Sequence, residues 1–531
     1  MKRFTELYLE LDASNRTTAK LASLKRYFES APPEDAAWAV YILTGRRLKR
    51  LVKTGDLRTW TAEACQFPLW MVEECYGHVG DLAETLALLL ANRSSTPPPT
   101  EMPGLRAMIE DHILPLRDLT PPEQQQSMLD IWNSLDGEAC FVLNKLITGG
   151  FRVGVSKALI NRALAEVAGV EPPAMAHRLM GDWQPTADHF RALLQPESAE
   201  DDPARPYPFC LAYPLEQPDL QKLGPTSDWQ IEWKWDGIRA QLIKRSGEVL
   251  LWSRGEELVG EQFPEIVESA AQWPEDLVLD GEILAWDEDQ PASFAALQRR
   301  LGRKKVGPKL RKEVPVVFMA YDLLELQRKD LRSRPTTERR RILDTLGSSE
   351  RESFRLSPTL QAESWTEIAE MRAQSRQHRV EGLMLKAATS PYGVGRTKGL
   401  WWKWKVDPYT VDAVLVYAQQ GHGRRAGLYT DYTFSIWKDG ELVPLAKAYS
   451  GLTDKEIREV DRWIRQHTRE SHGPVRVVDP ELVFEIAFEG IQPSKRHKSG
   501  LAVRFPRIHR WRRDKPTKEA DHFETVISLL S

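Results

Sequence analysis

The residues best placed to do chemistry are Glu232-Trp233-Lys234-Trp235-Asp236-Gly237-Ile238-Arg239. A lysine ends a β-type run and is followed by Asp-Gly, which sets an amine on a tight turn beside a carboxylate. An amine attacks a phosphoryl group only when neutral, and an unperturbed lysine titrates near about 10.4. Partial burial, neighbouring cations or a divalent metal favour the neutral form and create a nucleophile. The plain alternative is a hairpin turn carrying a solvated lysine, and four letters do not decide between the two.

Further candidates follow in order along the chain. They are Ser253-Arg254-Gly255-Glu256, Leu279-Asp280-Gly281-Glu282 and Phe318-Met319-Ala320-Tyr321-Asp322-Leu323. Next come Glu381-Gly382-Leu383-Met384-Leu385-Lys386 and Trp402-Lys403-Trp404-Lys405. Arg504-Phe505-Pro506-Arg507 then leads into Arg512-Arg513-Asp514-Lys515. Lys403 and Lys405, two apart on a strand, share a face and can reach one anion, although a basic strand snorkelling among tryptophans has the same letters. Glu282 and Glu381 offer the oxygen ligands that Mg²⁺ takes, though a lone Asp-Gly-Glu is otherwise an ordinary turn. Read as a bare residue, Tyr321 is a core tyrosine. Residues 495–518 hold ten Lys/Arg and a single acid, Asp514, a density that suits polyphosphate or a nucleic-acid backbone.

In order and spacing, from about residue 205 to 520, this series resembles the covalent nucleotidyltransferases, and among them the ATP-dependent DNA ligases of the three-domain type that includes bacterial members. The resemblance implies that Lys234 attacks the α-phosphate of ATP and carries AMP as a phosphoramidate. It implies nucleotide contacts from Glu232, Arg239, Arg254, Glu282, Tyr321, Lys403 and Lys405, with Glu232 near the adenine amino group and Tyr321 stacked on the base. Many family members have Phe at that last position. Glu282 and Glu381 are the expected ligands of Mg²⁺, with Mn²⁺ an alternative. Arg239 and Arg254 are also expected at the 5′-phosphate of a DNA nick, where a bidentate guanidinium is well suited. Arg512, Asp514 and Lys515 would orient pyrophosphate during self-adenylation, a task that implies closure of the C-terminal domain over ATP.

These residues need elements to hold them. Residues 1–205 read as all-α, with apolar residues at three- and four-residue spacing in Phe4-Leu7-Leu9-Leu11 and Leu21-Leu24-Tyr27-Phe28. Pro32-Pro33-Glu34-Asp35 is a helix start, and Ser94–Pro99 divides the region into two helical groups. An acidic, proline-rich stretch over 196–208 marks a linker. Residues 206–408 then alternate short β runs with helices in an α+β pattern, the expected nucleotidyltransferase (adenylation) domain. The β runs are Gln230–Trp233, Arg239–Lys244, Val249–Ser253, Leu277–Leu279, Val314–Ala320, Gly382–Leu385 and Trp401–Lys405. Residues 409–531 carry further strands and a helix near Asp454–His467, which suits an OB-fold β-barrel.

The helical region supplies weaker signals. Arg46 and Arg47 begin a basic cluster, and Arg152 lies in a glycine-rich turn before Lys157. By resemblance these three grip DNA without reading its sequence; a plain helix–helix connection is the other reading of the turn. His422 and His497 are single histidines in basic loops and receive no role.

Bulk properties exclude several classes. Hydrophobic content of 41% and charged content of 28% are those of a globular protein, and no long apolar run suggests a membrane span. The opening MKRFTELYLELD lacks a secretory h-region. Four scattered cysteines give neither a disulfide framework nor a zinc ribbon, which points to the cytoplasm and away from the NAD⁺-dependent ligases. A net charge of −3 leaves nucleic-acid binding to local basic faces and metal ions. The expectation is a monomeric, ATP-dependent enzyme on nicked duplex DNA, in replication, repair or recombination. An RNA ligase or mRNA-capping-type enzyme shares the lysine motif, and a non-catalytic nucleic-acid scaffold would share only the basic patches.

Overall fold

In the computed structural model the chain forms two compact units. The structure describes residues 1–530 apart from 47, 49–50, 92–101, 150, 152, 182, 196–204, 217–219, 221, 302, 304, 347–351, 422–426, 473–474 and 495–496. One unit comprises 1–15, 45–154 and 407–531, the other 16–44 and 155–406, so both contain helices of the first 205 residues. The Ser94–Pro99 break and much of the 196–208 stretch lie outside the described residues. No described helix is long and apolar enough to cross a membrane.

The unit containing Lys234 is built on two sheets. Its strands are β1 (Tyr213–Pro214), β2 (Trp229–Trp233), β3 (Ile238–Arg245), β4 (Glu248–Ser253) and β5 (Leu277–Asp287). They continue as β6 (Val316–Leu326), β7 (Phe354–Leu356), β8 (Thr359–Leu360), β9 (Gly382–Ala387) and β10 (Trp401–Lys405). One sheet runs β8-β2-β9-β10-β1 and the other β7-β6-β5-β3-β4. Lys234 therefore lies where the chain leaves one sheet for the next.

Alternation along the strands sorts side chains between two faces. Trp402 and Trp404 of β10 join Trp233, Leu383 and Leu385 in one buried cluster, while Trp401 packs on the other side with Tyr392 and Trp252. Each such side chain contributes about 1.5–3 kcal/mol by leaving water. A second core lies beside the other sheet, where Leu242, Leu279, Phe318 and Leu323 meet Phe263, just before the helix Pro264–Ala271, and Ile266 within it.

Two strands run longer than their sequence signals. β5 continues through Asp280-Gly281-Glu282 to Asp287, and β6 begins at Val316 and reaches Leu326. Asp-Gly-Glu is thus not a turn or a strand end. A ladder irregularity between Asp280 and Gly281 absorbs the polar residues without ending the strand.

The other unit holds helices such as Gly137–Thr148 and the C-terminal β-rich domain. The helix Gly137–Thr148 is capped by the Asp136 carboxylate, which accepts from Ala139 N at 2.8 Å, and ends at Gly149 in the left-handed region. The β-domain adds β11 (Tyr409–Gln420), β12 (Tyr429–Lys438), β13 (Glu441–Ala448), β14 (Thr468–His472), β15 (Val475–Val478), β16 (Val483–Phe488) and β17 (Arg507–Trp511). The long β11 pairs with β12, β15 and β16, and β16 pairs in turn with β17. One strand serving three neighbours curls the sheet around Phe434, Phe484 and Ile486, as an OB-type barrel requires. The helix Asp454–Gln466 starts at a reciprocal cap in which Thr453 N donates to Glu456 and Glu456 N donates to Thr453 Oγ1.

Candidate active site

The turn after β2 is fixed by backbone before any side chain acts. Lys234 N donates to Gly382 O at 2.8 Å, and Glu381 N donates to Lys234 O at 2.8 Å. The β2–β9 ladder thereby extends past β2 and places Lys234 beside Glu381. Two glycines permit this approach. A methyl on Gly237 would lie 2.7 Å from Leu284 Cδ2, and one on Gly382, whose φ is +140°, would lie 2.6 Å from Lys405 Cα.

Lys234 Nζ donates to Glu381 Oε2, and Lys405 Nζ lies 3.3 Å from the same oxygen. Burial drives the Glu381 carboxyl upward, but Lys234 and Lys405 outweigh it and hold it below the usual carboxylate range. Lys403 is a second cation on that face of β10. Desolvation and the repulsion of Lys234, Lys405 and Arg396 lower its pKa. The alternation predicted for Lys403 and Lys405 is therefore the one observed, with Trp402 and Trp404 turned into the core.

Glu282 stands on β5 directly across from Arg239 of β3. Burial pushes its carboxyl up to about 7; Lys234 and Arg239 oppose the rise, and Glu381 and Asp280 add to it. Neighbouring carboxylates that raise a buried acid in this way make a suitable seat for a divalent cation. Among the described residues there is no cluster of three or more His, Cys, Asp or Glu arranged around a metal position. Glu282 and Glu381 fit Mg²⁺ as an ion that takes one or two carboxylates and completes its shell with water and phosphate.

Arg239 is more committed than its sequence position suggests. Its guanidinium grips Asp280 through Nη2–Oδ2 at 2.6 Å and Nε–Oδ1 at 3.2 Å, and Nη1 donates to Cys210 O at 2.6 Å. The rings of Phe209 and Trp401 lie 5.1 and 5.3 Å from it. Burial disfavours the charge, yet the pairing with Asp280 keeps Arg239 protonated. Arg254 is exposed in the turn after β4, and its backbone N donates to Arg239 O at 2.9 Å.

Glu232 is buried, and Lys386 Nζ donates to both its oxygens at 3.1 Å. The same ammonium donates to Tyr321 O at 3.1 Å and lies 4.5 Å from the centre of the Tyr321 ring. Tyr321 is half-buried, its hydroxyl 3.4 Å from Asp280. Burial leaves that hydroxyl much harder to ionise than usual. Asp280 also accepts from Tyr392 Oη at 2.7 Å. Sequence reasoning passed over Lys386, Asp280 and Tyr392. A lysine ending the apolar run Leu383-Met384-Leu385 was the available signal for a buried ion pair.

In the other unit Arg512 and Lys515 are brought together on one carboxylate. Asp412 Oδ2 accepts from Arg512 Nη1 and from Lys515 Nζ, each at 2.7 Å. Asp514 accepts from Arg512 Nε and Nη2 at 3.1 and 3.0 Å, and these bonds bring its carboxyl down to about 2. Arg46 is half-buried. Arg47, Arg152 and His422 lie outside the described residues, as do Lys495 and Arg496 of the basic segment.

A strand-end lysine ringed by carboxylates and cations at the junction of two sheets is the arrangement that nucleotidyl transfer to an amine requires. The comparisons with known proteins show the family. Residues 211–405 match the model of the ATP dependent DNA ligase domain, 1–165 the DNA ligase N terminus, and 425–515 the ATP dependent DNA ligase C terminal region. A probable DNA ligase of Koribacter versatilis is 32% identical, covering 97% of this chain and 94% of its own. A longer probable DNA ligase of Opitutus terrae is 31% identical over 100% of this chain, which spans 62% of it. A solved structure titled "Pmar-Lig_Pre." shares the fold with a TM-score of 0.64 and 17% identity, covering 96% of this chain and 99% of its own. The chain belongs to the ATP-dependent DNA ligases, enzymes that use ATP to form phosphodiester bonds in DNA.

Proposed function

We propose that this ligase seals nicks bearing a 5′-phosphate and a 3′-hydroxyl in duplex DNA through a Lys234–AMP intermediate. The observation that carries the proposal is the shared carboxylate of Glu381, which holds the Lys234 and Lys405 ammonium groups at the junction of the two sheets. The neutral Lys234 amine forms an N–P bond to the α-phosphate of ATP as the bond to the pyrophosphate oxygen breaks. The 5′-phosphate of the nick then attacks that phosphorus and frees the amine. Finally the 3′-hydroxyl attacks the activated 5′-phosphate and AMP leaves.

In this reading each candidate residue has a role. Lys403 and Lys405 offset charge on the transferred phosphate. Tyr321 presents a ring to the adenine, and Lys386 with Glu232 stiffens that wall from behind. Arg239, braced by Asp280, orients the nucleotide, while the exposed Arg254 meets the nick phosphate. Glu282 and Glu381 would hold Mg²⁺, which supplies further charge neutralisation when bound. Arg46, Arg47 and Arg152 contribute backbone contacts to DNA, and Arg512 and Lys515 contact pyrophosphate. We place the enzyme, as a monomer, in the cytoplasm on DNA during replication, repair or recombination. As domains, 1–205 serves DNA binding, 206–408 adenylation and 409–531 the OB-fold.

The test is incubation with α-labelled ATP and Mg²⁺. The wild type should take up an acid-labile label that Lys234→Ala lacks; an unlabelled wild type defeats the proposal. Preferential labelling by GTP would point to capping chemistry instead.

A further inference from the structure

We infer that Asp412 is a positioning residue for lysine adenylation, setting Arg512 and Lys515 in advance as a paired phosphate clamp. The inference rests on the reading of those two cations as pyrophosphate ligands.

The strand that carries Asp412 gives it no structural need for a charge. Its neighbours Val411, Ala413, Val414 and Leu415 are all buried core residues. A carboxylate there loses hydration, and only Oδ2 recovers partners. Oδ1 is buried with no hydrogen-bond partner among the described residues. Burying half a carboxylate unsatisfied costs stability, so the group is better explained by what Oδ2 holds than by what it does for the barrel.

Its position is closely fixed. Asp412 N donates to Asp521 Oδ2 at 2.8 Å, and Asp521 N donates back to Asp412 O at 2.8 Å. Glu485, opposite Asp412 on β16, is ion-paired with Arg510. Arg512 N is itself tied to Val483 O at 2.9 Å, and Lys515 N to Arg512 O at 3.1 Å.

The consequence is electrostatic and entropic. Two cations that share one oxygen would repel each other without it. Both have long side chains, and a phosphate that orders them itself loses affinity in doing so. Asp412 orders them before the ligand arrives. The remaining edge of Arg512, Nε and Nη2, is held by the exposed carboxylate of Asp514, in the two-point geometry that a phosphate can take in its place. An incoming pyrophosphate would displace Asp514 and leave Asp412 as the anchor.

The experiment measures lysine adenylation against ATP concentration and, separately, sealing of a preformed DNA-adenylate. Asp412→Asn should lower kcat/KM for adenylation on the order of tenfold. That loss should exceed any loss in sealing the preformed adenylate, and Asp412→Glu should recover part of it. In a Lys515→Met background the effect of Asp412→Asn should shrink, because one of the two cations it positions is gone. Equal losses in both steps, or an undiminished effect in the double variant, would overturn the inference. Normal adenylation by Arg512→Ala and Lys515→Met would instead reject the pyrophosphate reading itself.

Discussion

Lys234 and Glu381 are joined twice over, by reciprocal backbone bonding in which Glu381 N donates to Lys234 O at 2.8 Å, and by the ion pair between their side chains. The first tie sets where the amine stands; the second links the amine to the Glu381 carboxylate. Separating charge from position is therefore possible by substitution. Lys234→Arg keeps a cation for Glu381 but cannot lose its proton, so it should fold and take up no AMP. Intact-mass measurement after incubation with ATP checks this, with adenylation expected to fall below about one-thousandth of wild type. A stable AMP adduct on the arginine variant would show that another residue is the nucleophile.

Glu282 should make the fold weaker as pH rises. Burial pushes its carboxyl up to about 7 in the folded protein, from an ordinary value of 4.5. A raised acid pKa means the folded state holds the proton longer, so stability is highest below the unfolded pKa and declines as pH climbs from about 4.5 to about 7. Glu282→Gln removes this ionisation. It should match wild type near pH 4.5 and exceed it by on the order of 2 kcal/mol near pH 8, allowing for partial solvent contact. Urea melts at the two pH values, with ATP and metal left out, make the comparison. A stabilisation that is the same at both would be inconsistent with this assignment.

The Lys386–Glu232 pair is almost wholly buried. Lys386→Met should cost about 3–5 kcal/mol, because Glu232 is left charged without its main partner. Adding Glu232→Gln should recover much of that loss, since the stranded charge is then gone. Denaturant melts of the single and double variants read the difference directly. Strictly additive losses would mean that the pair does not act as a unit.

Gly382 is predicted to tolerate no side chain. Its φ of +140° and the 2.6 Å approach of an added methyl to Lys405 Cα put the collision on backbone, which cannot rotate away. Gly382→Ala should cost about 2 kcal/mol or more and shift Lys234 through the bond from its N to Gly382 O. The expected result is a lowered melting temperature with adenylation impaired even where the protein is folded.

Arg254 is exposed just past the end of β4, whereas the Arg239–Asp280 pair is largely buried. Arg254→Ala should leave labelling of Lys234 within about twofold of wild type and weaken binding to nicked DNA. It should also lower the salt dependence of that binding by about one phosphate contact. Unchanged DNA affinity across salt concentrations would remove Arg254 from the interface.

By itself the sequence pointed to the candidate set and to the kinds of element that carry it. Lys234, Glu381, Lys403 and Lys405 could be read because strand period and local turns are short-range properties, and because their order along the chain is specific. The helix start at Pro33 and the alternation of Trp402 to Lys405 are of the same local kind. Only the tertiary structure decided how the polar groups are partnered. Glu232 and Lys386 are far apart in sequence, as are Arg239 and Asp280, and Asp412 and its two cations. No periodicity links such residues; strand order and register bring them together. Tertiary packing also decided that Asp280-Gly281-Glu282 stays within a strand, since neighbouring β3 and β6 satisfy a backbone that local propensity alone would have turned. Burial and charge at Glu282 likewise follow from that assembly, because desolvation depends on what surrounds a group and not on the letters beside it.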